Sequence, residues 1–335
     1  MTQAPPHSGL TGVTLLAESL FAMLPGTDLV PAPLLDSPRP TEPEIIAALK
    51  AALTNFREAG GRRIVDLAGL TMGRNVVLNE LLASITGVEI LTASGFGPSW
   101  SVGSHYFNNV SEAGMTVDRL ADIFVGEATM GALIPNRGRA ARTPLIVLVP
   151  ERGGFQLPEG AEEFRHFLQS EQSFLDLLIA AHARAAKIAE VPLYVKLGDD
   201  PLVVLEKIER EGLPASQVVL GGLDRRDHAA AGLAITLAAQ GHPVVLDHVG
   251  WPEGWLDAAE QSALVLELFA QGLGDRIAVS SSAVGVSVEV GAPIIGDFTR
   301  VFTEFIPAFR AAGGTDEQLT QITGTNPMRF LGLEA

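Results

Sequence analysis

Side chains that can carry chemistry follow directly after two short apolar segments of the chain. Lys196 lies near the end of the segment 192–197, and Asp224 and Arg225 follow the segment 217–221. An ammonium or a guanidinium group can bind an anionic ligand, and a carboxylate can accept a proton from a bound substrate. A desolvated lysine can also act as an amine nucleophile. The sequence therefore predicts Lys196 and Asp224 as catalytic candidates and Arg225 as a ligand-binding candidate.

Asp247 and His248 end a third apolar segment, 243–248. A neighbouring aspartate and histidine can form an acid–base pair. Because adjacent residues of a strand point to opposite faces, we expect only one of the two to share the environment of Lys196. Asp247 is the candidate catalytic partner of Lys196, and His248 is a candidate ligand contact. An ion pair with Glu18, Asp224 or Asp247 that only fills a polar cavity is the structural alternative for Lys196.

Glu18 and several serine and tryptophan side chains supply further candidates for ligand binding. Ser282 closes a run of three serines after the segment 276–280, and no Gly-x-Ser-x-Gly elbow surrounds it. We therefore expect Ser282 to be a small polar contact and not a nucleophile. Trp100 and Trp251 lie in segments rich in glycine and proline, and they can either line an apolar pocket or pack those segments onto the protein.

Short β-branched segments alternate with amphipathic helical segments along the whole chain, which is typical of parallel sheets. The predicted strands are 12–17, 63–67, 88–93, 144–149, 192–197, 217–221, 243–248 and 276–280. Eight strands that are each followed by a helix predict an α/β fold, a single (β/α)8 TIM barrel over residues 12–333 after an N-terminal tail of residues 1–11. An open doubly wound sheet is disfavoured, because no glycine-rich fingerprint follows the first strand. The carboxyl ends of barrel strands meet on one face, so we expect the candidate residues to lie together.

The composition of the chain limits the classes of molecule that it is expected to bind. The 335-residue chain is 47% apolar and has a formal net charge of −16, without basic clusters, which excludes nucleic acid as an expected partner. No apolar run reaches the roughly 18 residues of a membrane span, and the first residues lack the pattern of a signal peptide. The chain has no cysteine, which excludes disulfides and thiolate metal ligands. We expect a cytoplasmic protein that binds a small molecule.

Four stretches of the chain resemble the phosphotriesterase family of the amidohydrolase superfamily. They are GRRIVDLAGLTMGRN (61–75), ADIFVGEATMG (121–131), EGLPASQVVLGGLDR (211–225) and ITGTNPMRFL (322–331). The resemblance covers nearly the whole chain and implies a (β/α)8 barrel that is commonly a homodimer. It also implies hydrolysis of phosphotriesters, lactones or related esters by two divalent metals, which hold a water and polarise the substrate.

At the positions that correspond to the metal ligands of the resembled family, this chain has residues of other types. A His-x-His, a carboxylated lysine, two histidines and an aspartate fall on Ala17 and Ser19, Val147, Lys196, Gly222 and Ser282. Alanine, valine and glycine offer no donor atom, and a neutral serine is a poor ligand. We therefore expect a divergent member that has lost the two-metal centre and uses no metal cofactor.

Three functions remain open from the sequence. The first is a non-catalytic homologue that either binds a small ligand, with an anion at Lys196 and Arg225 as one option, or serves as a partner subunit. The second is a metal-independent enzyme that uses Lys196 with Asp224 or Asp247. The third is a residual hydrolase of lactones, esters or phosphotriesters that uses one metal. Its candidate ligands are Glu18, Asp224, Asp247 and His248.

Overall fold

The computed structural model describes residues 9–23, 39–70, 72–96, 116–134, 138–150, 165–288 and 294–333. Its strands are β1 (Val13–Met23), β2 (Gly61–Asp66), β3 (Glu89–Thr92), β4 (Ser94–Phe96), β5 (Leu133–Ile134), β6 (Gly138–Arg139), β7 (Ile146–Leu148), β8 (Leu193–Lys196), β9 (Val218–Gly221), β10 (Val244–Leu246), β11 (Ile277–Val279), β12 (Val284–Val288) and β13 (Ile294–Ile295). Each of the predicted strands overlaps one of these.

Helices separate most of the strands. The α-helices span Glu42–Glu58, Val76–Thr86, Val117–Met130, Arg165–Ala189, Pro201–Arg210, Arg226–Ala230, Leu233–Ala239, Ala258–Ala270, Ile306–Ala311, Asp316–Thr320 and Asn326–Phe330. Local signals set their ends: Asp257 forms a capping box with Glu260, and Gly87 ends its helix with a left-handed φ of 71°. Among the described residues, no helix combines the length and the apolar character that crossing a membrane requires.

The parallel strands form two hydrogen-bonded runs that together make up a TIM barrel. β1, β2 and β3 pair in that order, and β4, β7, β8, β9, β10 and β11 form a second run of neighbours. β4 follows β3 after the single residue Ala93, which joins the two runs on one side. On the other side, β12 follows β11 after residues 280–283 and pairs in parallel with β1. The order of strands around the barrel is therefore their order in the sequence, as the alternating pattern predicted.

Alternate residues of the strands contribute to two different apolar cores. The core inside the barrel includes Leu16, Val65, Val147, Val219, Val245, Phe330 and Leu331. The core between the strands and the surrounding helices includes Leu15, Ile64, Ile146 and Leu148. The two-residue period thus directs Leu15 outward and Leu16 inward, so inward positions at the strand ends face one common space.

Two segments differ from their sequence-based prediction. Residues 281–296 follow the last predicted strand, and they contain β12, whose valines at alternate positions form a strand that pairs with β1. The helix predicted after the strand 217–221 is divided by Gly232, which has a φ of 64° and separates two shorter helices. An alternating pattern of valines forms the additional strand, and a glycine divides the helix.

Two of the stretches that resemble the family meet in a buried ion pair. Arg74 donates two hydrogen bonds to the carboxylate of Glu127, at 2.6 and 2.8 Å. The two side chains are only 6% and 7% exposed. Ser94 Oγ also donates to Glu127, at 2.6 Å. These residues therefore hold the segment after β2 against the helix Val117–Met130. The charges of Arg74 and Glu127 neutralise each other inside the protein.

The closing stretch 322–331 also has a structural role. Asn326 Nδ2 donates to the carbonyl oxygens of Gly274 and Ile277, at 2.8 and 2.7 Å. Phe330, in the same short helix, belongs to the core inside the barrel. This stretch thus fixes the amino end of β11, away from the chemical groups at the carboxyl ends.

Candidate active site at the carboxyl end of the barrel

A cavity of about 270 Å³ lies at the carboxyl ends of the barrel strands. Its polar and aromatic lining consists of Ser19, Lys196, His248, Trp251, Trp255 and Ser282. The volume lies just below the range of about 300–1,000 Å³ that is typical of pockets for drug-sized ligands, so the cavity suits a small substrate. The structure therefore brings together Lys196, His248, Trp251 and Ser282, as the sequence predicted.

Three ionisable side chains contact one another in a buried cluster at this end of the barrel. His248 Nδ1 lies 2.9 Å from Asp224 Oδ1 and 3.0 Å from Asp247 Oδ1. The imidazole is 1% exposed and both carboxylates are fully buried. The two predicted catalytic carboxylates therefore share one imidazole, although they follow different strands.

The expectation that Asp247 and His248 point to opposite faces is wrong. β10 ends at Leu246, so both residues lie beyond the strand, where the alternation of side chains no longer applies. The chain turns there, and Trp251 N donates to the carbonyl oxygen of His248 at 3.1 Å. The turn allows the side chains of Asp247 and His248 to contact each other next to Asp224.

Asp247 has further donors around its carboxylate. Gly222 N donates to Oδ1 at 2.7 Å, and Tyr194 Oη donates to Oδ2 at 2.8 Å. Burial raises the pKa of Asp247, but the neighbouring His248 and Lys196 and the hydrogen bond from Gly222 N outweigh burial, so this pKa lies below its usual range. The carboxylate is therefore ionised at neutral pH.

Asp224 is positioned by two other donors. The backbone N–H of His248 donates to Oδ2 at 2.7 Å, and Gln261 Nε2 donates to the same oxygen at 2.9 Å. Such outer hydrogen bonds hold a carboxylate in one orientation toward its imidazole. Gln261 was not among the predicted residues, because nothing in the helix Ala258–Ala270 marks one buried glutamine as part of a site.

Tyr194 is a second residue that the sequence reasoning missed. It is 1% exposed, and burial together with the charge of Asp247 raises its pKa well above the usual value. The neutral hydroxyl is therefore a permanent donor to Asp247. The sequence did indicate that Tyr194 points into the barrel, because Tyr194 and Lys196 are two residues apart on β8 and so share the inward face.

The His248 ring is enclosed by two indole rings. It stacks on Trp255 with 3.2 Å between ring centroids and contacts Trp251 edge-on at 5.0 Å. Its Nε2 atom is buried and has no hydrogen-bond partner among the described residues. Leaving a buried polar atom unpaired costs about 1–3 kcal/mol, which points to a role in binding or catalysis. His248 lines the cavity, and Nε2 is the nitrogen of its ring that has no partner among the described residues.

Lys196 is half-buried in the cavity wall. Its ammonium donates to Ser282 Oγ at 3.2 Å and lies 5.7 Å from the centroid of the Trp251 ring. Within the part of the chain that the structure describes, no carboxylate forms an ion pair with it. The direct pairing with Glu18, Asp224 or Asp247 that was the structural alternative is thus not formed among the described residues.

Ser282 connects Lys196 to the buried cluster. Its hydroxyl accepts from Lys196 and donates to Asp247 Oδ2, both at 3.2 Å. Its backbone has a φ of 46°, in the left-handed region that residues with a Cβ seldom adopt. Strain of this kind is kept where surrounding contacts hold it, often at functional sites.

Glu18 lies at the junction where the barrel closes. Its Oε1 accepts from Ser280 Oγ and Ser281 N at 2.7 and 2.9 Å, and its Oε2 accepts from Ser281 Oγ and Ala283 N at 3.0 and 2.6 Å. Glu18 was predicted to contact a ligand, but it is not among the residues that line the cavity. Its oxygens tie β1 to the residues between β11 and β12.

The pKa of Glu18 predicts a pH-dependent contribution to stability. Burial raises the pKa from 4.5 to about 7, and the hydrogen bonds from Ser280, Ser281 and Ala283 offset part of the rise. A raised pKa in the folded state gives a contribution that is complete below the unfolded value and is lost as the pH rises through the folded value. We expect the free energy of unfolding, relative to the Glu18→Gln variant, to fall by about 3 kcal/mol between about pH 4.5 and about pH 7.5.

Urea unfolding of both proteins across this pH range measures the Glu18 effect. The glutamine amide of the variant does not titrate, so the difference between the two proteins isolates the carboxyl group. A difference that stays constant over the whole range would contradict the raised pKa.

Two other predicted contacts are not part of the cavity lining. Arg225 donates to Asp227 and Asp199, at 2.7 and 2.9 Å, so that its guanidinium is already paired near the surface. The prediction that Arg225 binds a ligand therefore has no support from its position. Trp100, the second tryptophan of the prediction, lies outside the described residues.

The positions that correspond to the metal ligands of the resembled family divide into three groups. Ala17, Ser19, Lys196 and Ser282 line the cavity. Val147 is fully buried in the core inside the barrel. Gly222 has a φ of 76°, and a Cβ there would lie 2.7 Å from the carbonyl oxygen of Leu197, so that no ligand side chain fits. These positions supply neither histidine nor carboxylate.

The barrel and the carboxylate–imidazole cluster at its carboxyl end define an α/β barrel protein with an enzyme-like polar centre. The profile of the Phosphotriesterase family matches residues 3–134 and 169–331. The chain belongs to this family, as its motif stretches predicted.

Similar proteins include one hydrolase and two solved structures. N-acetyltaurine hydrolase of Danio rerio is 24% identical over 306 residues, which cover 85% of this chain and 77% of that protein. The phosphotriesterase homology protein of Escherichia coli, solved with phosphate in its active site, is 18% identical with a TM-score of 0.69, over 96% of this chain and 99% of that one. A structure from the engineering of organophosphate hydrolysis from a weak promiscuous lactonase is 21% identical with a TM-score of 0.76, over 99% and 100%. The two solved structures confirm the TIM barrel.

The expectation that the protein has no metal cofactor is wrong. It rested on the replaced family positions alone, whereas the structure brings together three other side chains that can ligate a metal ion. These are Asp224, Asp247 and His248, whose ligand atoms all lie within 4.8 Å of one another. Glu18, the fourth ligand of the predicted one-metal site, is engaged at the closure of the barrel.

Proposed function

We propose that the protein hydrolyses an ester, lactone or amide bond of a small substrate bound in the cavity. One observation carries the proposal: Asp224 holds His248 through Nδ1, while Nε2 of this cavity-lining imidazole has no partner among the described residues. A carboxylate that orients an imidazole in this way is the arrangement of a general base.

In this scheme His248 moves one proton twice. Asp224 accepts the Nδ1–H and so keeps the lone pair on Nε2. Nε2 takes a proton from water while the water oxygen bonds to the carbonyl carbon and the π pair moves onto the carbonyl oxygen. When the tetrahedral centre collapses, the same proton passes to the leaving oxygen or nitrogen as its bond to carbon breaks. The buried charge of Asp224 stabilises the imidazolium between the two transfers.

Asp224, Asp247 and His248 are also the residues that would hold a divalent metal. Carboxylate and imidazole donors suit Zn²⁺, Mn²⁺ or Fe²⁺, and one such ion neutralises both carboxylates. The donors from Tyr194 and Gln261 already orient the outer oxygens, as outer partners of metal ligands do. When bound, the ion supplies Lewis-acid polarisation. Because Nδ1 faces the carboxylates, an ion held there would take Nδ1 as its ligand atom and leave the ring proton on Nε2, so His248 would then act as a ligand and the general-base step belongs to the metal-free cluster.

The similar proteins support hydrolysis over other chemistries. One is a hydrolase of N-acetyltaurine, one carries phosphate in its active site, and one derives from a lactonase that was engineered toward organophosphates. Amide, lactone and organophosphate hydrolysis all cleave a bond at a carbonyl or phosphoryl centre. We therefore propose a test panel of N-acetylated amines, lactones and phosphotriesters.

The metal content of variants tests the proposed ligand set. We expect the purified protein to contain about one equivalent of divalent metal and to turn over at least one class of the panel. Asp224→Asn combined with Asp247→Asn removes both anionic ligands, so the metal measured by mass spectrometry should fall below about 0.1 equivalent. The matched control is Asp199→Asn with Asp227→Asn, two aspartates that pair with Arg225 near the surface, and it should keep its metal.

Two results would contradict the proposal. Retention of the metal by the double variant of Asp224 and Asp247 would place the ion elsewhere. No turnover of any panel class, with Zn²⁺, Mn²⁺ or Co²⁺ added, would contradict the hydrolase function.

A small-ligand-binding protein without turnover is the second candidate. It is favoured by Lys196, a half-buried cation in the cavity that has no carboxylate ion pair among the described residues. Calorimetric binding of a panel compound that yields no product over hours would support this candidate.

A further inference from the structure

We propose that the substrate carries a small oxyanion and that Lys196 is the residue that binds it. A carboxylate, a sulfonate and a phosphate share this chemistry. The inference rests on the proposed hydrolase site and adds the charge class of its substrate. It follows from the juxtaposition of an ammonium, two serine hydroxyls and two indole rings in one cavity.

The first step is the unused hydrogen-bonding capacity of Lys196. An ammonium has three N–H donors, and within the described chain Lys196 uses one of them, toward Ser282 Oγ at 3.2 Å. A half-buried charge without a counter-ion is unfavourable, so a site that keeps one gains from an anionic ligand. Two donors of Lys196 therefore remain for a ligand in the cavity.

The second step is that Asp247, the carboxylate linked to Lys196 through Ser282, already accepts hydrogen bonds from other donors. Asp247 accepts from Gly222 N, from Tyr194 Oη and from Ser282 Oγ, and it contacts His248 Nδ1. Lys196 reaches Asp247 only through the Ser282 hydroxyl. Asp247 lowers the cost of keeping the ammonium charged, but it does not saturate the donors of the ammonium.

The third step concerns the charges behind the cavity wall. Asp224 and Asp247 place two negative charges in the cluster, and a divalent ion neutralises them. The positive charge of Lys196 is then left for the ligand. Oxyanion binding is therefore expected to be tighter in the metal-loaded protein, and the binding measurements should use protein supplemented with Zn²⁺.

The remaining wall sets the size and shape of the ligand. Trp251 and Trp255 give the cavity a flat apolar surface, and Ser19 and Ser282 add hydroxyl groups to its wall, with Ser282 in contact with the ammonium. A volume of about 270 Å³ leaves room for a compact body next to the anionic group. The inferred substrate is a small molecule with an oxyanion at one end and the scissile bond near His248.

Matched pairs of probes test the charge preference in the wild-type protein. The pairs are benzoate with benzamide and benzenesulfonate with benzenesulfonamide, and phenyl phosphate is compared with both anions. Binding is followed by tryptophan fluorescence and by calorimetry. Each anion should bind at least about 10-fold more tightly than its neutral partner, and added NaCl should reduce the difference. The order of the three anions identifies which oxyanion the site prefers.

Variants that change the charge of residue 196 test whether Lys196 causes the preference for anions. Lys196→Met keeps most of the length and the apolar stem of the side chain and should reduce the ratio of anion to neutral affinity to about one. Lys196→Arg keeps the charge and should retain the preference. Lys50→Met removes the same charge from an exposed position on the helix Glu42–Glu58 and should change nothing. Thermal melting confirms that each variant is folded.

Equal affinities of benzoate and benzamide for the wild-type protein would overturn the inference, as would an undiminished preference in Lys196→Met. The result of the anion-binding test can be distinguished from the result of the hydrolysis test. Hydrolysis of neutral substrates without anion preference would leave the hydrolase function standing. Anion preference without hydrolysis of any panel class would contradict the hydrolase function and leave the oxyanion site in place.

Discussion

Replacing His248 with asparagine is expected to reduce kcat for hydrolysis by about 100-fold to 10,000-fold, the contribution that positioned acid–base groups usually make. The asparagine amide of the variant can still reach Asp224, whose Oδ1 lies 2.9 Å from the imidazole Nδ1 in the wild-type protein. It has no group at the place of Nε2, the atom that would exchange a proton with the substrate. The variant thus removes the proton transfer and keeps most of the buried hydrogen bonding.

The matched control for this variant is His242→Asn. His242 is half-buried, its Nδ1 lies 3.3 Å from the carbonyl oxygen of Val218, and it does not line the cavity. We expect it to keep kcat within about 2-fold, since surface-layer substitutions away from a site have small effects. Steady-state kinetics on the best panel substrate, with thermal melting as a check of folding, make the measurement. An unchanged kcat in the His248→Asn variant would contradict the acid–base assignment.

Replacing Arg74 with methionine is expected to lower the free energy of unfolding by about 3–5 kcal/mol, the usual cost of removing one partner of a buried ion pair. The substitution leaves the carboxylate of Glu127 buried and deprived of two of its donors. Ser94 Oγ then remains as its side-chain donor, and water has little access to a side chain that is 7% exposed.

An exposed pair with the same bidentate geometry is the control. Arg226 donates to both carboxylate oxygens of Glu260, at 2.8 and 2.9 Å, but the side chains are 50% and 42% exposed. Arg226→Met should cost less than about 1 kcal/mol, since water replaces the lost contacts. Urea unfolding at neutral pH compares the two variants. Equal effects of Arg74→Met and Arg226→Met would show that burial does not decide the contribution of this ion pair.

The barrel and the place of its site could be predicted from the sequence. Alternating β-branched segments and amphipathic helices located the barrel strands, and the ends of these strands held Lys196, Asp224 and Asp247. These patterns are local in the chain, and parallel strands in a barrel converge at their carboxyl ends. The family stretches led to the same fold, although Arg74 and Glu127 in them act in folding.

Only the tertiary structure decided which polar atoms meet. Asp247 and His248 share one cluster with Asp224 because β10 stops one residue before Asp247, and a strand's last residue is not encoded in its local pattern. Glu18 accepts from Ala283 N across 265 positions of sequence, where the barrel closes. The partner of a charged side chain depends on register and chain ends across several strands. Residue types alone therefore grouped Asp224, Asp247 and His248 with Glu18 as candidate metal ligands without showing which of the four contact one another.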